Sequence, residues 1–369
     1  MIILSHLLSC GVNMKKVLIG LSGGIDSSVA AYLLKSAGYE VEGVTMLIWK
    51  KDSPYPAPVS PNSCYNPDKE KDLEEIDRIA RKIGIPHRVI DCSALYESKV
   101  LDNFKAEYMN ARTPNPCIWC NALIKFGAMV DEAHRVVDFD YFATGHYARI
   151  ARIGERYAIR KAADGKKDQS YFLSRLSQKQ LESTLFPLGE LSKEEVRRLD
   201  VSLGLHPEGQ SESQDFYGGD YADLLCRNDE KGDIVFRDGK KLGEHNGFWH
   251  YTIGQRKGLG IAYSEPLYVI ALDPVKNLVI VGLREDTMMR SAICGDVNFM
   301  ASDTLCGEKE YSIKIRSTSP GASGKATILP DGNLRIDFMA DVNAITPGQS
   351  AVIYDGDIIC ASAIIDRVI

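Results

Sequence analysis

A short loop rich in glycine and serine offers the first recognisable chemistry in the chain. Ser22-Gly-Gly-Ile-Asp-Ser27 follows the apolar run Val17-Leu-Ile-Gly20 and precedes a helical pattern. Glycines let the backbone approach an anion, and the start of a helix offers free N–H groups and a positive dipole end. Ser22 and Ser27 add hydroxyl donors, and Asp26 suits a magnesium ion or a helix N-terminus. Since the loop matches neither the Walker nor the dinucleotide pattern, it predicts a phosphate-binding loop of another kind.

A second reactive feature is the cysteine pair in Cys117-Ile-Trp-Cys120. Without a convincing secretory signal, we expect reduced thiols, and a close pair is then typical of catalysis or metal binding. Three interpretations stay open: a redox dithiol, half of a zinc site, or two ligands of a [4Fe-4S] cluster. No second Cys-x-x-Cys or histidine pair supports the zinc site. A cluster would need a third cysteine, for which Cys226 is the first candidate, followed by Cys64 and Cys92.

Other cysteines and histidines are expected to be structural. The residues around Cys226, namely Tyr221, Leu224 and Leu225, also fit an amphipathic helix with a small buried thiol. The histidines without metal-ligand spacing are expected at the surface or at strand ends: His87, His134 and His206.

Alternating strands and helices would position the loop and the cysteine pair. The predicted strands cover residues 17–20, 40–47, 87–90 and 141–144, and the predicted helices cover 27–37, 72–83 and 124–134. Such alternation predicts an α/β fold with a doubly wound parallel sheet and right-handed crossovers.

The sequence changes in character after about residue 206. Glycine and proline become frequent, and from residue 267 onward short β-branched runs cover 268–271, 278–281, 312–315, 351–354 and 361–365. Turn signals such as Pro330-Asp-Gly332 separate these runs. The pattern predicts a small antiparallel β-barrel at the C-terminal end.

Composition limits the function classes. The chain has 369 residues, which favours two or three domains, and its 44% apolar and 25% charged residues are typical of a globular protein. A net charge of −6 argues against binding nucleic acid through bulk charge, although a local basic face is compatible with it. No run approaches the roughly 20 apolar residues of a membrane span, so no membrane partner and a cytoplasmic location are expected.

The loop resembles the SGGxDS loop of the PP-loop ATP pyrophosphatases, which cleave ATP between its α- and β-phosphates. Further segments, in order along the chain, resemble the tRNA-specific 2-thiouridylase family (MnmA/TrmU). They are Arg112-Thr-Pro-Asn-Pro-Cys-Ile-Trp-Cys-Asn121, Ile124-Lys-Phe-Gly127, Ala143-Thr-Gly-His-Tyr147, Lys167-Asp-Gln-Ser-Tyr-Phe-Leu173, Ser213-Gln-Asp215, Tyr251-Thr-Ile-Gly-Gln-Arg-Lys-Gly-Leu-Gly260 and Thr346-Pro-Gly-Gln349.

This resemblance implies an ATP-dependent tRNA-uridine 2-sulfurtransferase. ATP, with Mg²⁺, would adenylate the C2 oxygen of the wobble uridine, and sulfur would then displace AMP to give 2-thiouridine, AMP and pyrophosphate. Residues 1–13 are expected to be a tail, since Met14-Lys15-Lys16 would start a protein directly at a strand. The resemblance implies an ATP pyrophosphatase domain at 14–206, a central tRNA-binding domain at 207–285 and a β-barrel at 286–369. A sulfur-carrier protein or a cysteine desulfurase would supply the sulfur.

The resemblance also assigns roles to individual residues. The ATP-binding set would be Gly20, Leu21, Ser22, Gly23, Gly24, Ile25, Asp26, Ser27, Met46 and Gly145. The tRNA-binding set would be Asn115, Pro116, His146, Lys167, Asp168, Gln169, Arg316 and Gln349. Cys120, with Cys117, would be catalytic.

One departure concerns the second catalytic cysteine of the family, which carries the sulfur as a persulfide. Two residues after Ser213-Gln-Asp215 the chain has Tyr217, and a phenol cannot hold a sulfane sulfur. The sequence therefore leaves three hypotheses: a thiouridylase that uses Cys120 with Cys117, a sulfide-using enzyme that depends on an iron–sulfur cluster, and a tRNA-binding paralogue without thiolation activity.

Overall fold

The structure is a computed structural model that describes residues 14–56, 63–65, 69–207, 209 and 216–369. The predicted tail at 1–13 and the Ser213-Gln-Asp215 motif lie outside these residues. The described residues form two compact units. Unit 1 holds those within 1–53, 57–97 and 120–219, and unit 2 holds those within 54–56, 98–119 and 220–369.

The helices and strands of the described residues are as follows. The α-helices are α1 (Ile25–Ser36), α2 (Lys69–Ile83), α3 (Ser93–Tyr96), α4 (Asp102–Met109), α5 (Pro116–Trp119), α6 (Met129–Ala133), α7 (Gln178–Glu182) and α8 (Lys193–Leu203). The strands are β1 (Lys16–Gly20), β2 (Glu40–Leu47), β3 (His87–Asp91), β4 (Tyr141–Ala143), β5 (Ala148–Ile153), β6 (Arg156–Lys161), β7 (Thr184–Leu185), β8 (Gly232–Phe236), β9 (Lys241–His245), β10 (Tyr268–Asp273), β11 (Leu278–Gly282), β12 (Met288–Phe299), β13 (Glu310–Lys314), β14 (Ala322–Ile328), β15 (Leu334–Asn343), β16 (Ser350–Asp355) and β17 (Ile358–Val368).

A parallel sheet is the centre of unit 1. Its strand order is β3-β2-β1-β4-β7, and every pairing is parallel. Val17, Leu18 and Ile19 are at most 1% exposed, as expected for a strand covered on both faces. The predicted parallel α/β sheet is confirmed, and it puts the end of β1 directly before the glycine-serine loop.

The predicted helix at 124–134 is wrong at its start. The helical segment begins at Pro116 with α5, passes into a π-helix, Cys120–Ala128, and continues as α6. In a π-helix each N–H bonds five residues back, so its carbonyls are shifted relative to an α-helix. The Gln180 side chain donates to two of them, the carbonyls of Ala122 and Phe126, at 2.8 and 3.0 Å. This side chain stabilises a backbone form that hydrophobic periodicity does not reveal.

Unit 2 contains the predicted barrel and a separate sheet. Six antiparallel strands follow the order β12-β15-β14-β13-β16-β17, and the pairing of β12 with β17 closes the barrel. The runs 268–271 and 278–281, which the resemblance assigns to the central segment 207–285, are not part of this barrel. They form β10 and β11 of a four-stranded sheet, β10-β11-β8-β9, in which β11 and β8 are parallel. None of the helices described above combines the length and apolar character needed to cross a membrane.

Candidate functional site

The hydroxyl groups of the glycine-serine loop in unit 1 form hydrogen bonds within the loop itself. Gly23 has φ +82°, which favours glycine, and α1 begins two residues later at Ile25. The Ser27 hydroxyl donates to the Gly24 carbonyl at 3.1 Å and accepts the Ser22 N–H at 3.2 Å. The Ser22 and Ser27 hydroxyl oxygens lie 3.2 Å apart. These contacts shape the loop over the helix N-terminus, which is a favourable place for a phosphate.

Asp26 of this loop is paired with a lysine that sequence reasoning missed. The Lys193 ammonium donates to Oδ1 of Asp26 at 2.7 Å, and the Tyr147 hydroxyl donates to the same oxygen at 2.8 Å. Although charged, the Lys193 side chain is only 6% exposed. In the sequence, Ser192 and Glu195 have the spacing of a capping box. This box starts α8 and makes Lys193 the first residue of the helix. A buried cation therefore lies directly beside the phosphate-binding loop.

His206 is a second missed residue, and its predicted surface position is wrong. It is 8% exposed, with its Nε2 atom 3.0 Å from the Gly23 carbonyl oxygen and its Nδ1 atom 2.7 Å from Asp200. Asp200 is itself on α8 and is 3% exposed. The ring thereby connects α8 to the middle of the loop.

Gly145, which was predicted to bind ATP, lies against the start of α1. A Cβ atom at this position would be 2.7 Å from both the Asp26 carbonyl carbon and the Ser27 nitrogen. These are backbone atoms, so no side chain larger than hydrogen fits without moving the loop. The next residue, His146, is packed against Phe126, and burial together with Lys125 holds its pKa well below the usual range.

The other predicted ATP-binding residues surround the loop. Gly20 ends β1, and the Leu21 N–H donates to the Val44 carbonyl of β2 at 2.8 Å. The Leu21 carbonyl accepts the Thr45 hydroxyl at 2.8 Å. Met46 is partly exposed one residue further along β2. Unit 1 thus brings together the predicted set at the carboxyl edge of its parallel sheet, where α/β folds bind ligands.

Cys120 opens the π-helix of unit 1. Burial raises the pKa of its thiol to about 11, while Lys125 acts to lower the pKa and Cys64 to raise it. Cys92 is 2% exposed, and burial raises its pKa to about 12, with Cys120 among the charges that add to the increase. The charge of Cys64 thus acts on the pKa of Cys120, and that of Cys120 on the pKa of Cys92.

Cys117 and Cys226 belong to unit 2. Cys117 is partly exposed on α5. Cys226 is exposed at the end of a 3₁₀ helix, Tyr221–Leu225, with φ +51°, and its thiol donates to the Pro54 carbonyl at 3.6 Å. The described cysteines form no disulfide.

The described residues do not fit a preassembled iron–sulfur site. Among them, no group of three or more His, Cys, Asp or Glu side chains is placed to hold a metal ion.

Several predicted tRNA-binding residues have internal partners. Asp168 accepts the N–H groups of Ala162 and Ser170 at 3.0 and 3.2 Å, and Gln169 accepts the Tyr147 N–H at 2.9 Å. Lys167 precedes them and donates its backbone N–H to the Asp164 carbonyl at 3.0 Å. These bonds order the 167–169 segment next to the tyrosine that contacts Asp26.

In unit 2 the predicted tRNA-binding residues also have structural partners. The Asn115 side chain accepts the Ile118 N–H at 3.3 Å, so it caps α5, which begins at Pro116. Gln349 donates to the Thr113 carbonyl at 2.8 Å. A further set of bonds comes from Arg316, whose Nη2 atom donates to the carbonyls of Ile253 and Ala344 and to the Thr346 hydroxyl, at 3.1, 3.0 and 2.5 Å.

Comparison with known proteins identifies the family. A relative from Endomicrobium trichonymphae, named tRNA-specific 2-thiouridylase MnmA, is 44% identical over 95% of this chain and 98% of its own length. The chain belongs to the tRNA-specific 2-thiouridylase family. Relatives of the same name from Clostridium botulinum strain Loch Maree and Clostridioides difficile strain 630 are 41% and 40% identical, covering 96% of this chain and 99% and 98% of their own lengths.

Family models match this 2-thiouridylase chain in three consecutive parts. They are described as a tRNA methyl transferase HUP domain at 15–217, a tRNA methyl transferase PRC-barrel domain at 225–283 and an aminomethyltransferase β-barrel domain at 289–365. Solved structures resemble the chain only distantly. NMN synthetase from Francisella tularensis is 19% identical with a TM-score of 0.30, covering 52% of this chain and 63% of that one. A 4-thiouridine synthetase–RNA complex with bound ATP is also 19% identical, with a TM-score of 0.32, covering 52% of this chain and 41% of that one.

Proposed function

We propose that this chain uses ATP to convert the wobble uridine of a tRNA to 2-thiouridine. The observation that carries the proposal is the ordered glycine-serine loop, with Asp26 fixed by Lys193, in the same unit as Cys120. The loop supplies N–H groups and hydroxyls for phosphates, and Lys193 adds a positive charge. Mg²⁺ would accompany ATP near Asp26 and neutralise phosphate charge.

The reaction has two steps with a defined leaving group. The C2 oxygen of uridine attacks the α-phosphorus of ATP, and pyrophosphate leaves. Sulfur then attacks C2, and the former C2 oxygen leaves as part of AMP. The base has to be flipped out of the anticodon stack, because C2 is otherwise inaccessible to an in-line α-phosphate.

Roles in tRNA binding are part of this proposal. The partly exposed Lys167 suits a phosphate, and Asn115 at the start of α5 is placed at the border of the flipped base by analogy with the family. The bonds of Arg316 and Gln349 within unit 2 favour an additional structural role for both. A sulfur-carrier protein or a cysteine desulfurase would deliver the sulfur, and sulfide is the alternative donor.

The test is the formation of 2-thiouridine by purified protein. A tRNA transcript with a wobble uridine is incubated with ATP, Mg²⁺ and either sulfide or an alkyl persulfide, and the digested nucleosides are measured by mass spectrometry. We expect 2-thiouridine with the native protein. Ser22→Ala is expected to reduce its formation at least tenfold because a phosphate ligand is removed. Unchanged thiolation in Ser22→Ala would contradict adenylation at this loop.

A non-thiolating tRNA-binding paralogue is the second candidate, and the observation in its favour is Tyr217. Its ring is 2% exposed and packs against Tyr65 and Phe216, so it is a structural side chain. Under this alternative the protein binds tRNA but forms no 2-thiouridine with any sulfur donor. An iron–sulfur-dependent thiolase is the third, and it predicts 2-thiouridine only after cluster reconstitution.

A further inference from the structure

The position of the missing persulfide cysteine is occupied by a packed aromatic ring. The centroid of the Tyr217 ring lies 6.4 Å from those of Tyr65 and Phe216. Tyr65 is in turn stacked on Tyr96, with centroids 5.9 Å apart. No thiol stands at residue 217, so a second thiol has to come from elsewhere, either from Cys117 or from another cysteine of unit 1.

The segment Ser63-Cys-Tyr65 runs beside residue 217. The Tyr65 N–H donates to the Phe216 carbonyl at 3.0 Å, which fixes this segment directly next to Tyr217. Ser63 and Tyr65 are 6% and 0% exposed, whereas Cys64 between them is exposed. The Ser63 hydroxyl donates to the Tyr65 carbonyl at 2.8 Å, and this local bond holds the segment while the Cys64 side chain is left exposed.

Cys64 is held beside residue 217, whose counterpart in the family the resemblance pairs with Cys120. Its charge contributes to the raised pKa of Cys120, as that of Cys120 does for Cys92. Of these two neighbours, only Cys64 is accessible, because Cys92 is 2% exposed and its pKa is raised to about 12. A sulfur donor from solution can reach an exposed thiol but not a buried, protonated one.

We propose that Cys64 is the second thiol of the sulfur relay and that it works with Cys120 in place of the cysteine that Tyr217 replaces. This inference rests on the proposed thiolation of uridine. It explains how an accessible thiol is kept beside residue 217 although that residue carries none.

The sulfur relay needs two co-reactants, an alkyl persulfide that supplies sulfur and an external dithiol that supplies two electrons. An alkyl persulfide, R–S–SH, transfers its outer sulfur to Cys64, giving a Cys64 persulfide and the thiol R–SH. The terminal sulfur attacks C2 of the adenylated uridine, and AMP leaves. The Cys120 thiolate then attacks the inner sulfur of Cys64, which breaks the S–S bond, releases 2-thiouridine and forms a Cys64–Cys120 disulfide. An external dithiol reduces this disulfide by two electrons and restores both thiols.

The first experiment separates sulfur transfer from adenylation. Cys64→Ser is compared with native protein and with Cys306→Ser, which removes an exposed cysteine of unit 2. We expect Cys64→Ser to lose about 100-fold or more in 2-thiouridine formation from an alkyl persulfide, as for removal of a nucleophile. Its tRNA-dependent release of pyrophosphate should stay within about threefold of the native rate, since adenylation needs no thiol. Cys306→Ser should match the native protein in both assays.

The results distinguish a failure of the Cys64 proposal from a failure of the proposed thiolation of uridine. Thiolation by Cys64→Ser at the native rate would overturn the role of Cys64 and leave the proposed function intact. Absence of both pyrophosphate release and 2-thiouridine in native protein would instead contradict the proposed function itself.

The second experiment identifies the bond. Native protein, with its iron content measured and removed by a chelator, completes one turnover without reductant and is digested for mass spectrometry. A disulfide joining Cys64 to Cys120, in an amount equal to the 2-thiouridine formed, is expected. A disulfide of Cys120 with another cysteine, or activity that disappears with iron, would overturn the proposal.

Discussion

At the scale of single residues, the glycine-serine loop depends on contacts that leave little space. Gly145 is the clearest case, because its missing Cβ atom is what lets β4 and the following turn approach the backbone of Asp26 and Ser27. Glycine is therefore required at residue 145 because the loop backbone is so close, and not because of a hydrogen bond.

Gly145→Ala is expected to weaken ATP binding. Its Cβ atom would be 2.7 Å from two backbone atoms of the loop, so the loop has to shift. We expect about a tenfold or larger increase in the Kd for ATP, measured by isothermal titration, for a change of about 1.4 kcal/mol or more. Gly165→Ala is the matched control, since a Cβ atom at residue 165 meets nothing within 4 Å. Equal affinities for the two variants would contradict the close approach.

The ionisation of Cys120 gives a prediction about pH. Its thiol has a pKa of about 11, raised by burial. Below that pH, the thiolate fraction grows about tenfold for each added pH unit, and so should its alkylation by iodoacetamide between about pH 7 and 10. Lys125→Gln removes a charge that lowers this pKa, so alkylation should become slower at a given pH.

Mass spectrometry of the Cys120 peptide follows this rate. The exposed Lys179→Gln serves as the control for loss of a positive charge in unit 1. A rate that is independent of pH above 7 would contradict the raised pKa.

At the scale of elements, the loop is supported by α8 as well as by β1 and α1. Lys193 at the first position of this helix reaches Asp26, and Asp200 orients His206 toward Gly23. The phosphate-binding site is therefore assembled by a helix that is distant from the loop in sequence.

His206→Ala tests this support. The substitution removes two buried hydrogen bonds and leaves Asp200 without this partner, so the free energy of unfolding of the protein should fall by about 1–3 kcal/mol. Because the Gly23 carbonyl also loses a contact, the Kd for ATP should increase. Thermal unfolding with and without ATP measures both effects. His134→Ala, at an exposed histidine, should change neither; equal behaviour of the two variants would refute the support.

The sequence predicted these elements unequally, for physical reasons. Buried strands such as 40–47 and the glycine-serine loop carry local signals, and the structure has them where expected. The π-helix depends on the Gln180 side chain, and the burial of Lys193 depends on Asp26 and Tyr147, which are remote in sequence. Periodicity and spacing contain no information about such partners. The same reason explains why His206 was expected at the surface.

At the scale of the whole molecule, one side chain that was expected to bind tRNA joins the two sheets of unit 2 by hydrogen bonds. This side chain is Arg316. Arg316 connects the loop at Ile253, which belongs to the segment before β10, with Ala344 and Thr346 of the barrel. These bonds stay within unit 2, so the arginine has a structural role whether or not tRNA is bound.

Arg316→Ala is expected to destabilise unit 2 even without tRNA. The Nη2 group that the three acceptors share is lost, and at about 0.5–1.5 kcal/mol per bond the loss should be seen as a lower Tm in thermal unfolding. Arg335→Ala is the control, because Arg335 pairs with Asp337 on the exposed face of a barrel strand. A variant of Arg316 with a native Tm and weaker tRNA affinity would assign this residue to RNA contact alone.

The central claim is that the glycine-serine loop and the thiols of unit 1 carry out one reaction on tRNA. The most direct measurement is a single turnover with iron-free protein, an alkyl persulfide, ATP and a tRNA with a wobble uridine. Pyrophosphate, AMP and 2-thiouridine are quantified together. We expect the three products in equal amounts, with the sulfur at the wobble position. Pyrophosphate and AMP without 2-thiouridine, or 2-thiouridine formed without ATP, would contradict the account.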